Sequence, residues 1–161
     1  MIGALQDIKQ PGAKSSIIIL SFVSIALVFS TMIVGRYLTS TIDEQGLVCR
    51  SWPLCPNEFG PPEGGYLVEY VHRLLAVIST GFVFATAIAV PSGMRKAKLA
   101  SIVAAIVVSV QIIIGYLTVT TGLDPLIVAT HLSTGITVIA FSLITFLWIG
   151  VLKKYWEQGQ R

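Results

Sequence analysis

Residues 66–90 read YLVEYVHRLLAVISTGFVFATAIAV. Apart from Glu69, His72 and Arg73, the stretch is apolar or small and uncharged. Crossing a hydrocarbon core takes about 20 such residues. Lipid offers no partners to backbone N–H and C=O groups, so a segment that crosses it must be helical or part of a closed barrel. The stretch has helical length, and it poses a question. An acid, an imidazole and a guanidinium fall within five positions of one another near its start.

Three further stretches read the same way: about 15–35, 97–121 and 125–152. Of the 161 residues, 54% are hydrophobic and only 12% charged, where soluble chains average about 25% charged. The expected fold is all-α. One domain, residues 1–161, forms an integral membrane four-helix up-down bundle, with helices at about 15–35, 66–90, 97–121 and 125–152 and a long connection over 36–65. The first stretch follows Lys9 and Lys14 as a signal peptide would. Its apolar run exceeds the about 7–15 residues of a signal core, and no clear cleavage site follows, so it reads as a retained helix. No basic patch interleaved with aromatics is present, which argues against nucleic acid as a partner.

Lys and Arg set the expected orientation. Lys9 and Lys14 precede the first helix. Arg95, Lys96 and Lys98 fill the second connection, and Lys153, Lys154 and Arg161 follow the fourth helix. The first connection holds two basic and four acidic residues. Both termini are therefore expected in the cytoplasm of a multi-pass cell-membrane protein, with residues 36–65 on the outer face.

Cys49 and Cys55 both lie in that outer connection. A pair in an oxidising compartment is most simply a disulfide. Two alternatives stand beside it. Half a metal site would need further ligands, and the loop has no other Cys or His. A redox relay of the four-helix thiol oxidoreductase type would need Cys-x-x-Cys and a second pair.

His72 and His131 are the chain's two histidines. Asp124 reads as the N-cap of the fourth helix, with Pro125 at its first position. Each histidine then lies six residues inside its helix, about 9 Å below the outer surface. In an up-down bundle these helices are diagonal, with neighbouring axes about 8–10 Å apart. Two facing imidazoles across such a diagonal suit the axial ligation of one haem iron. Ala76 and Gly135, four positions after each histidine, leave room for a flat ring.

The chain also reads as two repeated helical hairpins. VGRYLTSTIDEQGL closes the first helix and IGYLTVTTGLDPL the third, each followed by a helix with a histidine near its outer end. Aligned on the histidines, Glu69 corresponds to Val128 and Arg73 to Leu132, so ligation alone does not call for the acid. Glu69 and Arg73 could form an ordinary i,i+4 pair near the surface. Otherwise Glu69 acts at the rim of a bound ring, and Arg73 pairs with a haem propionate through its bidentate fork.

EYVHR with His72, CRSWPLC, QIIIGYLTVTTGL and VATHLSTG resemble one half of heme A synthase. The resemblance runs from the end of the first helix through the fourth. It implies a membrane oxidoreductase that oxidises a methyl group of haem O to the formyl group of haem A. By that resemblance His72 and His131 are axial haem ligands, Glu69 is the catalytic carboxylate and Cys49–Cys55 is a loop disulfide. Family members have eight helices in two similar halves, one holding haem b as cofactor and the other the haem O substrate. This chain carries one such half, so a homodimer or higher assembly is expected, with contacts at small-residue faces around Gly115 and Gly122. Haem O synthase and terminal oxidase assembly are the implied wider partners. The competing readings are a bis-His haem b electron-transfer cytochrome and a haem-binding assembly subunit of an oxidase.

Overall fold

In a computed structural model, residues 15–45, 49, 51–53 and 66–159 are described. They form four helices: α1 Ser15–Gln45, α2 Leu67–Ala89, α3 Arg95–Thr120 and α4 Pro125–Gly159. All four are long and apolar enough to cross a membrane. Each of α1 and α3 packs on both α2 and α4. The helices therefore stand in a square, with α2 and α4 on one diagonal.

Two boundaries differ from expectation. α1 runs on to Gln45, ten residues into the span read as loop. Gly35 does not end it, and no proline follows before Pro53. The hydroxyls of Thr39 and Ser40 bond back to the carbonyls of Arg36 and Tyr37 at 2.9 and 2.7 Å, keeping polar side chains compatible with the helix. α4 likewise continues to Gly159 through its polar tail. The start of α4 is as expected. Asp124 Oδ1 accepts from the N–H groups of Leu126 and Ile127 at 3.0 and 3.2 Å, satisfying two of the four orphan donors of a helix start.

The bundle tapers. At the end carrying the α2–α3 turn, the interior is built from small residues: Ser21 and Ser24 of α1, Thr86 and Ala87 of α2, Ala97, Ser101 and Ala104 of α3, and Ser142 and Thr145 of α4, all buried. Small side chains let helix backbones approach closely, which drives association in lipid. Ser21, Thr86, Ser101 and Thr145 each donate to a carbonyl of their own helix at 2.8–3.0 Å, so burying these hydroxyls leaves no unmade bond. Only about 10 Å³ remains between them. Lys98 Nζ caps the end of α2 at the carbonyl of Ala87, 2.6 Å away, where the helix dipole favours a cation. Above the small residues, one buried valine from each helix, Val28, Val83, Val108 and Val138, forms a plug. Beyond the plug the interior opens into a larger space lined by all four helices.

The repeat read from the sequence is built into this interior. The shift that carries Gly35 to Gly115 also carries Ser21 to Ser101, Ser24 to Ala104 and Val28 to Val108. The shift that carries His72 to His131 also carries Val83 to Ser142 and Thr86 to Thr145. The four pairs Ser21/Ser101, Ser24/Ala104, Val83/Ser142 and Thr86/Thr145 surround the same small void. The two hairpins thus meet about a pseudo-two-fold axis along the bundle.

Candidate functional site

At the wide end lies a cavity of about 500 Å³, within the usual range of about 300–1,000 Å³ for small-molecule sites. Val28, Val108 and Val138 floor it. His72 and His131 both line it, as do Ala76 and Gly135. The two histidines that the sequence singled out, on diagonal helices, therefore open onto one space.

Each imidazole is backed by a glycine of the preceding helix. A Cβ on Gly35 would lie 2.7 Å from Cε1 of His72, and a Cβ on Gly115 3.3 Å from Cε1 of His131. Only glycine fits comfortably under the first ring. These glycines were quoted in the repeat, but their partners were not foreseen. The shared Gly before Tyr-Leu-Thr was the available signal. Gly115 consequently faces inward, which corrects its assignment to an outer contact face. Gly122 sits in the α3–α4 turn with φ +66°, a conformation that glycine tolerates.

His72 Nδ1 lies 3.1 Å from the carbonyl oxygen of Thr31. A carbonyl only accepts, so Nδ1 carries the proton and Nε2 keeps its lone pair. This is the arrangement that prepares an imidazole to ligate a metal. At the equivalent place opposite, Gln111 replaces Thr31. Its Nε2 donates to the carbonyl of His131 at 2.7 Å, and its Oε1 accepts from Thr134 Oγ1. His131 Nδ1 is the one buried side-chain N or O atom without a hydrogen-bond partner among the described residues.

Glu69 and Arg73 form a buried pair rather than a surface one. They are 4% and 7% exposed, with Glu69 Oε1 and Arg73 Nη2 2.5 Å apart. Both line the cavity, and both bond to backbone atoms among residues 49 and 51–53. Glu69 Oε2 accepts from the N–H of Cys49 at 2.9 Å. Arg73 Nη2 donates to the carbonyl of Cys49 at 2.7 Å, and Nη1 to those of Ser51 and Pro53 at 2.5 and 3.3 Å. The guanidinium also lies 5.7 Å from the centre of the Trp52 ring, which meets Tyr116 of α3 edge-on at 5.8 Å. Residues 49 and 51–53 thus form a strap from α2 to α3 at the wide end of the cavity. Trp52 and Pro53 line the cavity too. Cys49 is buried; Cys55 lies outside the described residues.

The pseudo-two-fold relation exposes an asymmetry. Glu69, Arg73 and Ser79 line one wall, and their mates Val128, Leu132 and Val138 line the other. The cavity therefore offers two glycine-backed imidazoles, one polar wall and one apolar wall. Such a site suits a flat, metal-bearing ligand with chemically distinct edges.

The sequence model of the COX15-CtaA family, described as cytochrome oxidase assembly protein, matches residues 63–160. A heme A synthase from Listeria welshimeri is 31% identical over 121 residues, covering 70% of this chain and 38% of that protein. The same figures hold for a heme A synthase from Listeria innocua. A protoheme IX farnesyltransferase from Haloarcula marismortui is 30% identical over 123 residues, covering 71% of this chain and 26% of that protein. The matched region is thus well under half the length of each of these relatives. No solved structure matches. With four apolar helices, paired histidines on one cavity and a family match over more than half its length, the chain belongs to the COX15-CtaA family.

Proposed function

We propose that this chain binds haem between His72 and His131 and takes part in oxidising a methyl group of haem O to the formyl group of haem A. The observation that carries the reading is the pair of glycine-backed histidines opening onto one cavity. The residues suit the group. His72 Nε2 has its lone pair available, and His131 presents a second imidazole. Gly35, Gly115, Ala76 and Gly135 keep the surrounding walls thin. The name of the Haloarcula relative pairs protohaem with a farnesyl group, so the substrate class is a haem bearing an apolar tail. Bound there, haem brings a redox-active iron as cofactor (haem b), or the methyl group to be oxidised as substrate (haem O). Glu69 is the candidate catalytic carboxylate. It holds a negative charge in the polar wall, where it would favour positive charge developing at the ring's edge. Arg73 neutralises that wall, carries the strap and offers its charge to an acidic edge of the ligand. Cys49 and Cys55 are proposed to be bridged, fixing the strap's far end on the outer face. Self-association within the cell membrane would supply a second His pair.

One observation favours a second reading, a bis-His haem b electron carrier. Both Glu69 oxygens are already engaged, by Arg73 and by the Cys49 N–H. The two readings separate on one experiment: co-expression with a source of haem O, then chromatography of the extracted haems. Haem A or a hydroxylated haem O supports the oxidoreductase. Haem B alone supports the carrier.

A further inference from the structure

The pseudo-two-fold axis allows the two remaining seams of the bundle to be compared position by position. At the α1/α4 seam, Met32 covers the gap. Its Cε and Sδ lie 3.8 Å from where a Cβ on Gly135 would stand. The mates of these residues at the α2/α3 seam are Ile112 and Ala76. Ile112 lines the cavity yet is 43% exposed on the outside of the bundle. Val77, beside Ala76, also lines the cavity and is 63% exposed. A residue that faces both the interior and the exterior forms the rim of an opening. Val77's own mate, Ile136, is as exposed at 60% but is not among the described residues lining the cavity. One seam is shut and the other open.

The open seam is apolar at its rim, which Val77 and Ile112 form. Val77 is five residues beyond His72, about 7 Å further from the outer end. The opening therefore faces the hydrocarbon region and lies deeper than the wide end of the bundle, where Trp52 and Pro53 also line the cavity and are exposed. Resting on the haem reading above, we infer that the α2/α3 seam between Val77 and Ile112 is a lateral portal. Through it a haem bearing an apolar isoprenoid tail enters from the bilayer and leaves that tail in lipid. The bundle thus needs no internal room for the tail; the about 500 Å³ serves the ring.

The test uses the full chain in nanodiscs, titrated separately with protohaem, which lacks a tail, and with haem O, which has one, read by Soret absorbance. Val77→Trp narrows the portal from a lipid-exposed position, and Ile112→Trp narrows it from the opposite rim. Ile136→Trp places the same bulk at the mirror position on the shut seam. In both portal variants, affinity for haem O is expected to fall about tenfold or more (a difference of about 1.4 kcal/mol per tenfold) relative to affinity for protohaem. Ile136→Trp should keep the wild-type ratio. An unchanged ratio in both portal variants overturns the portal while leaving haem binding intact. So does an equal loss in Ile136→Trp. Dissociation of an oligomer by the portal variants, with tail preference retained, would make the seam a contact between copies and also overturn it. Failure of the wild type to bind either haem removes the haem reading itself, and the portal with it.

Discussion

A Cβ on Gly35 would stand 2.7 Å from Cε1 of His72, closer than real side-chain contacts allow. The corresponding distance at Gly115 and His131 is 3.3 Å. Both glycines lie within helices, where glycine costs about 1 kcal/mol against alanine. The close approach of an imidazole explains why that cost is met at Gly35. Gly35→Ala must push His72 off its place and off the Thr31 carbonyl. Groups that orient a metal ligand are typically worth about 10–100-fold in affinity. Gly35→Ala is therefore expected to cut haem affinity within that range, and Gly115→Ala by a few-fold only. Titration followed at the Soret band checks the order; equal affinity in Gly35→Ala and wild type would detach the glycine from the site.

The histidines themselves give the plainest test. Replacing either His72 or His131 with Ala should abolish a six-coordinate low-spin haem spectrum. His131 Nδ1 lacks the carbonyl partner that fixes His72, so its ring is held less firmly. Excess imidazole is therefore expected to replace His131 before His72 in the wild-type protein. A mutant of either residue with an unchanged spectrum would rule out paired ligation.

How much of this was legible beforehand differs by element. The four spans were readable because an apolar run of that length has few alternatives to a membrane helix. The histidines stood out as the chain's only two, at matched positions in a repeat. The end of α1 was misplaced because Thr39 and Ser40, which look like loop residues, satisfy their hydroxyls on the helix itself. The strap was invisible. An irregular segment has no periodicity, and the partners Arg73 and Glu69 choose there are backbone atoms of Cys49, Ser51 and Pro53, which any residue would supply. The sequence left Arg73 open to a surface pair or a propionate. The structure places its donors on the strap.

Cys49 and Cys55 are expected to be bridged in protein taken from its native membrane, with no thiol alkylated before reduction. Cys49 is nearly inaccessible, at 1% exposure. Loss of a native disulfide typically costs about 2–5 kcal/mol in a small secreted domain. Here reduction should loosen the strap without unfolding the helices. Near-ultraviolet signals from Trp52 should change while helical circular dichroism stays constant. Free thiols under non-reducing conditions would refute the bridge.

The last prediction returns to Glu69. Were its pair with Arg73 exposed, removing the charge would cost about 0–1 kcal/mol at most. The pair is buried, and breaking one partner of a buried pair costs about 3–5 kcal/mol. A loss of haem A in Glu69→Gln would therefore not by itself make Glu69 catalytic, since a loosened strap could produce it. The Cys49 amide supplies an independent readout. It donates to Glu69 Oε2, and hydrogen bonds to charged groups are worth about 1.5–3 kcal/mol. Glu69→Gln should accordingly speed exchange of that amide by about 10–100-fold. Trp52→Ala removes the strap's contacts with Tyr116 and Arg73 while leaving Glu69 charged, and should speed the same exchange. If Glu69 acts on the bound ring, Glu69→Gln loses conversion of haem O to haem A by about 10²–10⁴-fold, the usual worth of a positioned acid–base group, while Trp52→Ala with a comparably loosened strap retains most of it. Both variants keep the low-spin haem spectrum. Equal losses of haem A at equal exchange rates would assign Glu69 to holding the strap and remove it from the chemistry.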